Sequence, residues 1–172
     1  MDIKSLITML EKLKLQLLIL QLQLRVLLLH QQLTIPNLGA PNKIIIHHAG
    51  GFLNFEGVNA WHKIRWNFRS SLGFHCGYQY FIEMDGKIYQ ARRDNEEGAH
   101  CLGQNKQSIG ICLMGDGTKQ DFTKEQYEAL EELVKNKLAE YNLTTKNIYP
   151  HSAFSATECP SNYLRNWIIK NS

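Results

Sequence analysis

Apolar residues recur at steps of three and four from the N-terminus: Ile3, Leu6, Leu10, Leu13, Leu17, Leu20, Leu24 and Leu27. This is the seam of a coiled coil, sustained for about four heptads. Leucine is a good helix former, which argues against a period-2 strand through LKLQLLILQLQL. The apolar stripe is broader than a two-helix seam needs, because Leu15, Leu22 and Leu29 form a second row seven residues apart. A helix apolar on several faces wants more than one neighbour. It could join a multi-helix oligomer, pack on its own domain or lie on a membrane. Residues 1–33 therefore read as a Leu-rich helix and possible oligomerisation segment. Residues 34–42, with two prolines and a glycine, read as a linker.

The pattern changes at Lys43. Ile44-Ile45-Ile46 is a β-branched run of the kind found in buried strands, and it ends in His47-His48. A helical stretch follows over Val58 to Ser70, with Trp61 on an apolar, core-facing side. Tyr78 to Glu83 and Lys87 to Gln90 flank Asp85-Gly86, a hairpin signal. Ser108 to Met114 reads as another buried strand. Thr123 with Gln126 forms a capping box opening a helix whose Tyr127, Leu130, Val134, Leu138 and Tyr141 share a face, and Asn142 closes it. Asn147 to Tyr149 gives a short strand and Ser161 to Ile169 a last helix. Residues 43–172 thus predict an α/β domain, a mixed central sheet packed by helices.

The composition, 44% hydrophobic and 20% charged over 172 residues, supports a real core without a disulfide scaffold. The net charge of +3 suits an anionic polymer. No Lys/Arg run forms a nucleic-acid footprint, so nucleic acid is not the expected partner. Four cysteines, Cys76, Cys101, Cys112 and Cys159, read as thiols rather than as a secreted disulfide framework. The stretch Leu15 to Leu29 is interrupted by Gln16, Gln21, Gln23 and Arg25 and lacks a small-residue cleavage site after it. It is a poor export signal and too polar for a confident membrane span. Synthesis in the cytoplasm is the expectation.

Candidate chemistry lies at the ends of predicted strands. His47 ends the first, His151 follows the short last strand, and Cys159 stands further along the same loop. Two imidazoles and a thiolate are a natural zinc set, and three protein ligands leave a fourth position open. With seven histidines and four cysteines, spacing alone leaves this triple one among many.

The surrounding motifs are more specific. IIIHHAG, WHK, GYQYFIEMDGKIY, GAHCLGQNKQSIGICLMG and PHSAFSATECP follow one another between Lys43 and Trp167. Their content and order resemble the type-2 N-acetylmuramoyl-L-alanine amidases, which include phage amidases and the peptidoglycan recognition proteins of animals. The resemblance implies a Zn2+ ion held by His47, His151 and Cys159, with His48 a neighbour. It places Tyr78 beside the metal, positioning water or stabilising the oxyanion. Thr157 stands where phage relatives carry a lysine and animal relatives do not, so a neutral hydroxyl would assist the oxyanion. His100, Asn105 and Arg93 become groove residues that bind substrate. The implied reaction is hydrolysis of the amide joining N-acetylmuramic acid to L-alanine in peptidoglycan. A phage or prophage endolysin acting on the cell wall fits best.

Some positions depart from the pattern. Ser152 and Ala153 replace the Arg and Asp that usually follow the last histidine in animal relatives. No carboxylate is placed as a general base, and Glu158 beside Cys159 is a weak candidate. Two other readings compete. A non-catalytic peptidoglycan-binding module is one, although such receptors typically lack the cysteine ligand that is present here. A zinc-stabilised oligomeric interaction protein is the other, and it would require a closed four-ligand site.

Overall fold

The computed structural model describes residues 3–33 and 39–171, with side chains for Ser5 and residues 9–25 of the first helix and throughout the second stretch. Residues 34–38 of the expected linker, and the outer heptad positions Ile3, Leu6, Leu27 and Leu29 as side chains, lie outside what is described. Two compact units result, Met1–Asn37 and Leu38–Ser172. The first holds helix α1 (Ile3–Leu33). Its described leucines are exposed, from 48% at Leu10 to 64% at Leu22. Among the described residues no helix is long and apolar enough to cross a membrane.

The second unit is a five-stranded mixed sheet between helices. Its strands are β1 (Lys43–His48), β2 (Tyr80–Ile82), β3 (Ile88–Gln90), β4 (Ser108–Leu113) and β5 (Ile148–Pro150). They lie in the order β3-β2-β4-β1-β5. β1 runs parallel to β4 and β5, β2 runs parallel to β4, and only the β2–β3 hairpin is antiparallel. Gly86 closes that hairpin at φ +83°, in the left-handed region that glycine tolerates. The folded unit begins slightly before Lys43: Pro41 is buried and the Asn42 N–H donates to the Gln107 carbonyl at 3.0 Å.

Strand alternation sorts the residues onto two faces. Ile44, Ile46, Ile109, Ile111 and Leu113 pack with Leu130, Leu133 and Val134 of helix α3 (Lys124–Glu140) and with Leu164 and Ile168 of helix α4 (Asn162–Lys170). On the other face Phe81 and Cys112 meet Phe55 and Val58 of helix α2 (Phe55–Trp66). The Thr123/Gln126 capping box opens α3, and Asn142 follows its end with φ +52°. α2 starts and stops earlier than its apolar pattern suggests. Asn54 caps it by accepting from the Gly57 N–H, and Asn67 ends it at φ +47°. All four cysteines are free and buried.

Candidate active site

The parity that buries Ile44 and Ile46 against α3 and α4 turns Ile45 and His47 to the α2 face. His48 points the other way, where its Nδ1 accepts from the Gly117 N–H at 3.0 Å. His47 is 1% exposed and sits at the carboxyl end of β1. The neighbouring parallel strand β5 ends at Pro150 and delivers His151. Carboxyl ends of parallel strands are the usual location of ligand sites in α/β sheets. The loop after His151 folds back, the Ser152 N–H donating to the Cys159 carbonyl at 2.9 Å, and this returns Cys159 to the same point.

The three side chains meet there. Their donor atoms lie within 4.8 Å of one another. Cys159 Sγ is 3.7 Å from His47 Nδ1, and the rings of His47 and His151 have centroids 4.5 Å apart. Burial lowers the His47 pKa well below its ordinary value, and the His100, His151 and His48 imidazoles add to that. His151 is lowered by burial and by His48. Both rings are therefore neutral and offer lone pairs at neutral pH. Burial pushes the Cys159 thiol up to about 12, partly offset by the His48 N–H that donates to its sulfur at 3.4 Å and by Arg165. A divalent cation would reverse that preference by holding the thiolate. Two neutral imidazoles and one sulfur suit a tetrahedral, borderline-soft metal with a further position open.

Through His151 the site borders a cleft of about 740 Å³. His151, His100 and Tyr78 form the floor, and α2 supplies a wall of Trp61, Arg65 and Trp66. The Arg65 guanidinium lies 5.2 Å and 5.5 Å from the two indole rings. His62 joins this wall to the floor: its Nδ1 accepts from the Gly77 N–H at 2.8 Å, next to Tyr78. Burial, with Arg92 and Arg65 nearby, holds His62 down to about 4. The unfolded chain therefore takes up this proton below about pH 6.5 while the fold refuses it until about 4. Stability is expected to fall as pH drops through that window. Denaturation midpoints of His62→Asn, which keeps an acceptor for Gly77, should depend less steeply on pH there than those of the parent.

Residues 37–162 match the family description N-acetylmuramoyl-L-alanine amidase. The chain belongs to this family. It is 29% identical over 138 residues to peptidoglycan-recognition protein SC2 of Drosophila melanogaster, covering 72% of each chain. It is 32% identical over 120 residues to the endolysin of Escherichia phage T7, covering 66% of this chain and 74% of that one. The solved N-acetylmuramoyl-L-alanine amidase LysC of Clostridium intestinale URNW superimposes with a TM-score of 0.66 at 29% identity, over 76% of this chain and 83% of that one.

Within this amidase fold the sequence-derived residues take different positions. Tyr78 lines the cleft, its ring centroid 5.1 Å from that of His47. Asn105 lines the cleft too, but its Oδ1 is committed to the backbone N–H groups of His100 and Cys101 at 2.9 Å and 2.8 Å. Arg93 does not line the cleft: it is exposed, and its Nε donates to Ser71 Oγ at 3.2 Å. Thr157 does not line it either, and its Oγ1 accepts the Cys159 N–H at 3.2 Å, bracing the ligand loop. Trp61, read as a core residue, is 47% exposed and faces the cleft, because α2 turns Phe55 and Val58 inward instead. Glu158 is exposed.

Arg165 was not legible as a functional residue. From α4 its Nε donates to Ser152 Oγ at 3.2 Å and its Nη2 to the Glu158 carbonyl at 2.9 Å, clamping the loop between His151 and Cys159 at both ends. His100 is buried, and its Nδ1 stands 3.0 Å from His47 Nε2. A family motif marks it as a groove position and it does line the cleft, while the nearest polar partner of its ring is His47, a metal-ligand candidate. The available signal was Gly110, a glycine inside an otherwise β-branched buried strand, which marks a close approach.

Proposed function

We propose that the chain is a zinc-dependent amidase that cleaves the bond between N-acetylmuramic acid and L-alanine in peptidoglycan, and that it serves as an endolysin. The observation that carries this reading is the convergence of His47, His151 and Cys159, with His151 lining an open cleft. The T7 endolysin and the LysC amidase among its relatives support cleavage of the wall, and the peptidoglycan-recognition proteins support the same polymer as ligand. A pure binding module has no use for a donor set of two imidazoles and a thiol, two of the three buried. A closed structural zinc site would need a fourth protein ligand, and among the described residues the metal-binding group contains three.

Zinc held by His47, His151 and Cys159 would supply Lewis acidity and a water acidic enough to act near neutral pH. The protein does the rest. Trp61 and Trp66 offer flat apolar surfaces to sugar rings, and Arg65 between them offers charge to a stem-peptide carboxylate. Tyr78 is kept protonated by burial and by the Cys112, Cys159 and Cys76 thiols around it, so it remains a donor for the oxyanion. Thr157 holds the Cys159 backbone through its Oγ1 and keeps its own O–H as a donor for the oxyanion. Stripping the protein with a strong zinc chelator is expected to abolish wall hydrolysis, and stoichiometric zinc to restore it. Unchanged hydrolysis by protein shown to be metal-free would overturn the zinc assignment.

For α1 we propose self-association through the Leu10, Leu13, Leu17, Leu20 and Leu24 rows, whose exposed side chains are otherwise costly in water. Deleting residues 1–33 should lower the mass per particle in light scattering to that of a monomer. An unchanged association state would rule this out.

A further inference from the structure

The resemblance to the amidases makes His100 a groove residue, but its surroundings describe a different task. His100 is 9% exposed and its imidazole packs closely against two glycines. A Cβ at Gly98 would come within 2.5 Å of the ring and one at Gly110 within 2.6 Å, so no other residue type fits at either place without displacing it. This packing fixes the plane of the ring and directs its two nitrogens.

The hydrogen bonds around it have one direction. Ser108 Oγ donates to the Gln104 carbonyl at 2.7 Å, and a carbonyl can only accept. Ser108 therefore turns a lone pair toward His100 Nε2, 3.4 Å away, and that nitrogen carries the proton. His100 Nδ1 is left as an acceptor, 3.0 Å from His47 Nε2. His47 Nε2 then carries its own proton, and its Nδ1 lone pair is free. That Nδ1 is the nitrogen lying 3.7 Å from Cys159 Sγ.

We propose that His100 is a positioning residue for the metal centre: the relay Gln104–Ser108–His100 locks His47 in the tautomer that presents Nδ1 to the metal. The proposal rests on the reading of His47 as a metal ligand. A metal-bound histidine normally donates its other N–H to a carboxylate, a carbonyl or water. Here a neutral imidazole takes that place. It adds no negative charge beside the metal, and it draws its direction from a carbonyl two bonds further out.

The test uses the full chain with 15N-labelled histidine. In metal-free wild-type protein, long-range proton–nitrogen correlation spectra should show His47 and His100 both protonated on Nε2. His100→Phe keeps a flat ring against the two glycines but removes the acceptor. It should leave the folded state intact by circular dichroism and reduce zinc affinity, measured by competition with a chromophoric chelator, by about 10- to 100-fold. His100→Asn, whose Oδ1 stands near the place of Nδ1, should recover most of that loss, and Ser108→Ala should show a smaller one. A His47 protonated on Nδ1 in the wild type would overturn the proposal, as would wild-type zinc affinity in His100→Phe. If the wild-type protein binds no zinc, the metal reading fails separately, and the His47 tautomer compared between wild type and His100→Phe still decides whether His100 sets it.

Discussion

Cys159→Ala is expected to abolish wall hydrolysis while leaving wall binding largely intact. The thiol is the sulfur donor of the triple, and a His47–His151 pair alone holds a divalent ion poorly. The substitution removes one small buried group from a loop still held by Arg165 and by the Ser152–Cys159 backbone bond, so the fold should survive. The surfaces assigned to the polymer, Trp61, Arg65 and Trp66, stand on α2 and do not touch the change. The measurement is loss of turbidity of purified walls, alongside sedimentation of the protein with those walls and its zinc content. Wild-type hydrolysis by this variant would remove Cys159 from the metal set.

Tyr78→Phe is the second large effect. The phenol lies on the cleft floor beside His47 and stays protonated well above its ordinary range, so near neutrality it is a donor and not a base. In the proposed mechanism the hydroxyl turns from Cys112 to the developing oxyanion, and losing such a donor costs about 10²–10³ in kcat, roughly 2.7–4 kcal/mol. KM should change little, because the ring remains in the cleft wall. Zinc content should also be unchanged, which separates this variant from Cys159→Ala. The hydroxyl's present neighbour, the Cys112 thiol, is a weak acceptor and loses little. An unchanged kcat on a soluble muropeptide would show that the phenol plays no part in the reaction.

The frame of the fold was legible because it rests on local rules. The β-branched run at Ile44 became β1, the apolar stretch from Ser108 became β4, the Asp-Gly turn became the β2–β3 hairpin, and the Thr123/Gln126 box opened α3. The boundaries of α2 shifted because two asparagines, Asn54 and Asn67, set them through side-chain capping and a left-handed backbone. The apolar stripe of α2 misled for a different reason. An aromatic residue walling a cleft and one filling a core have the same hydrophobicity, and only the tertiary structure separates Trp61 from Phe55. Within the site, His47 and His151 stand at strand ends and Cys159 on the loop that follows, and all three can be read from motif and chain order. What surrounds them comes from distant elements. Arg165 reaches the ligand loop from α4, and His62 reaches the backbone beside Tyr78 from α2. His100 meets His47 across 53 positions of chain, and nothing in its local sequence states that contact.

The bond that is broken defines the proposed activity. Purified peptidoglycan incubated with the zinc-loaded protein should gain free amino groups on L-alanine, with no new reducing sugar ends. The same digestion after zinc removal should yield neither. New reducing ends would make the enzyme a glycosidase, and binding to the wall with no new amine in the zinc-loaded state would make it a recognition module; either result would contradict the account.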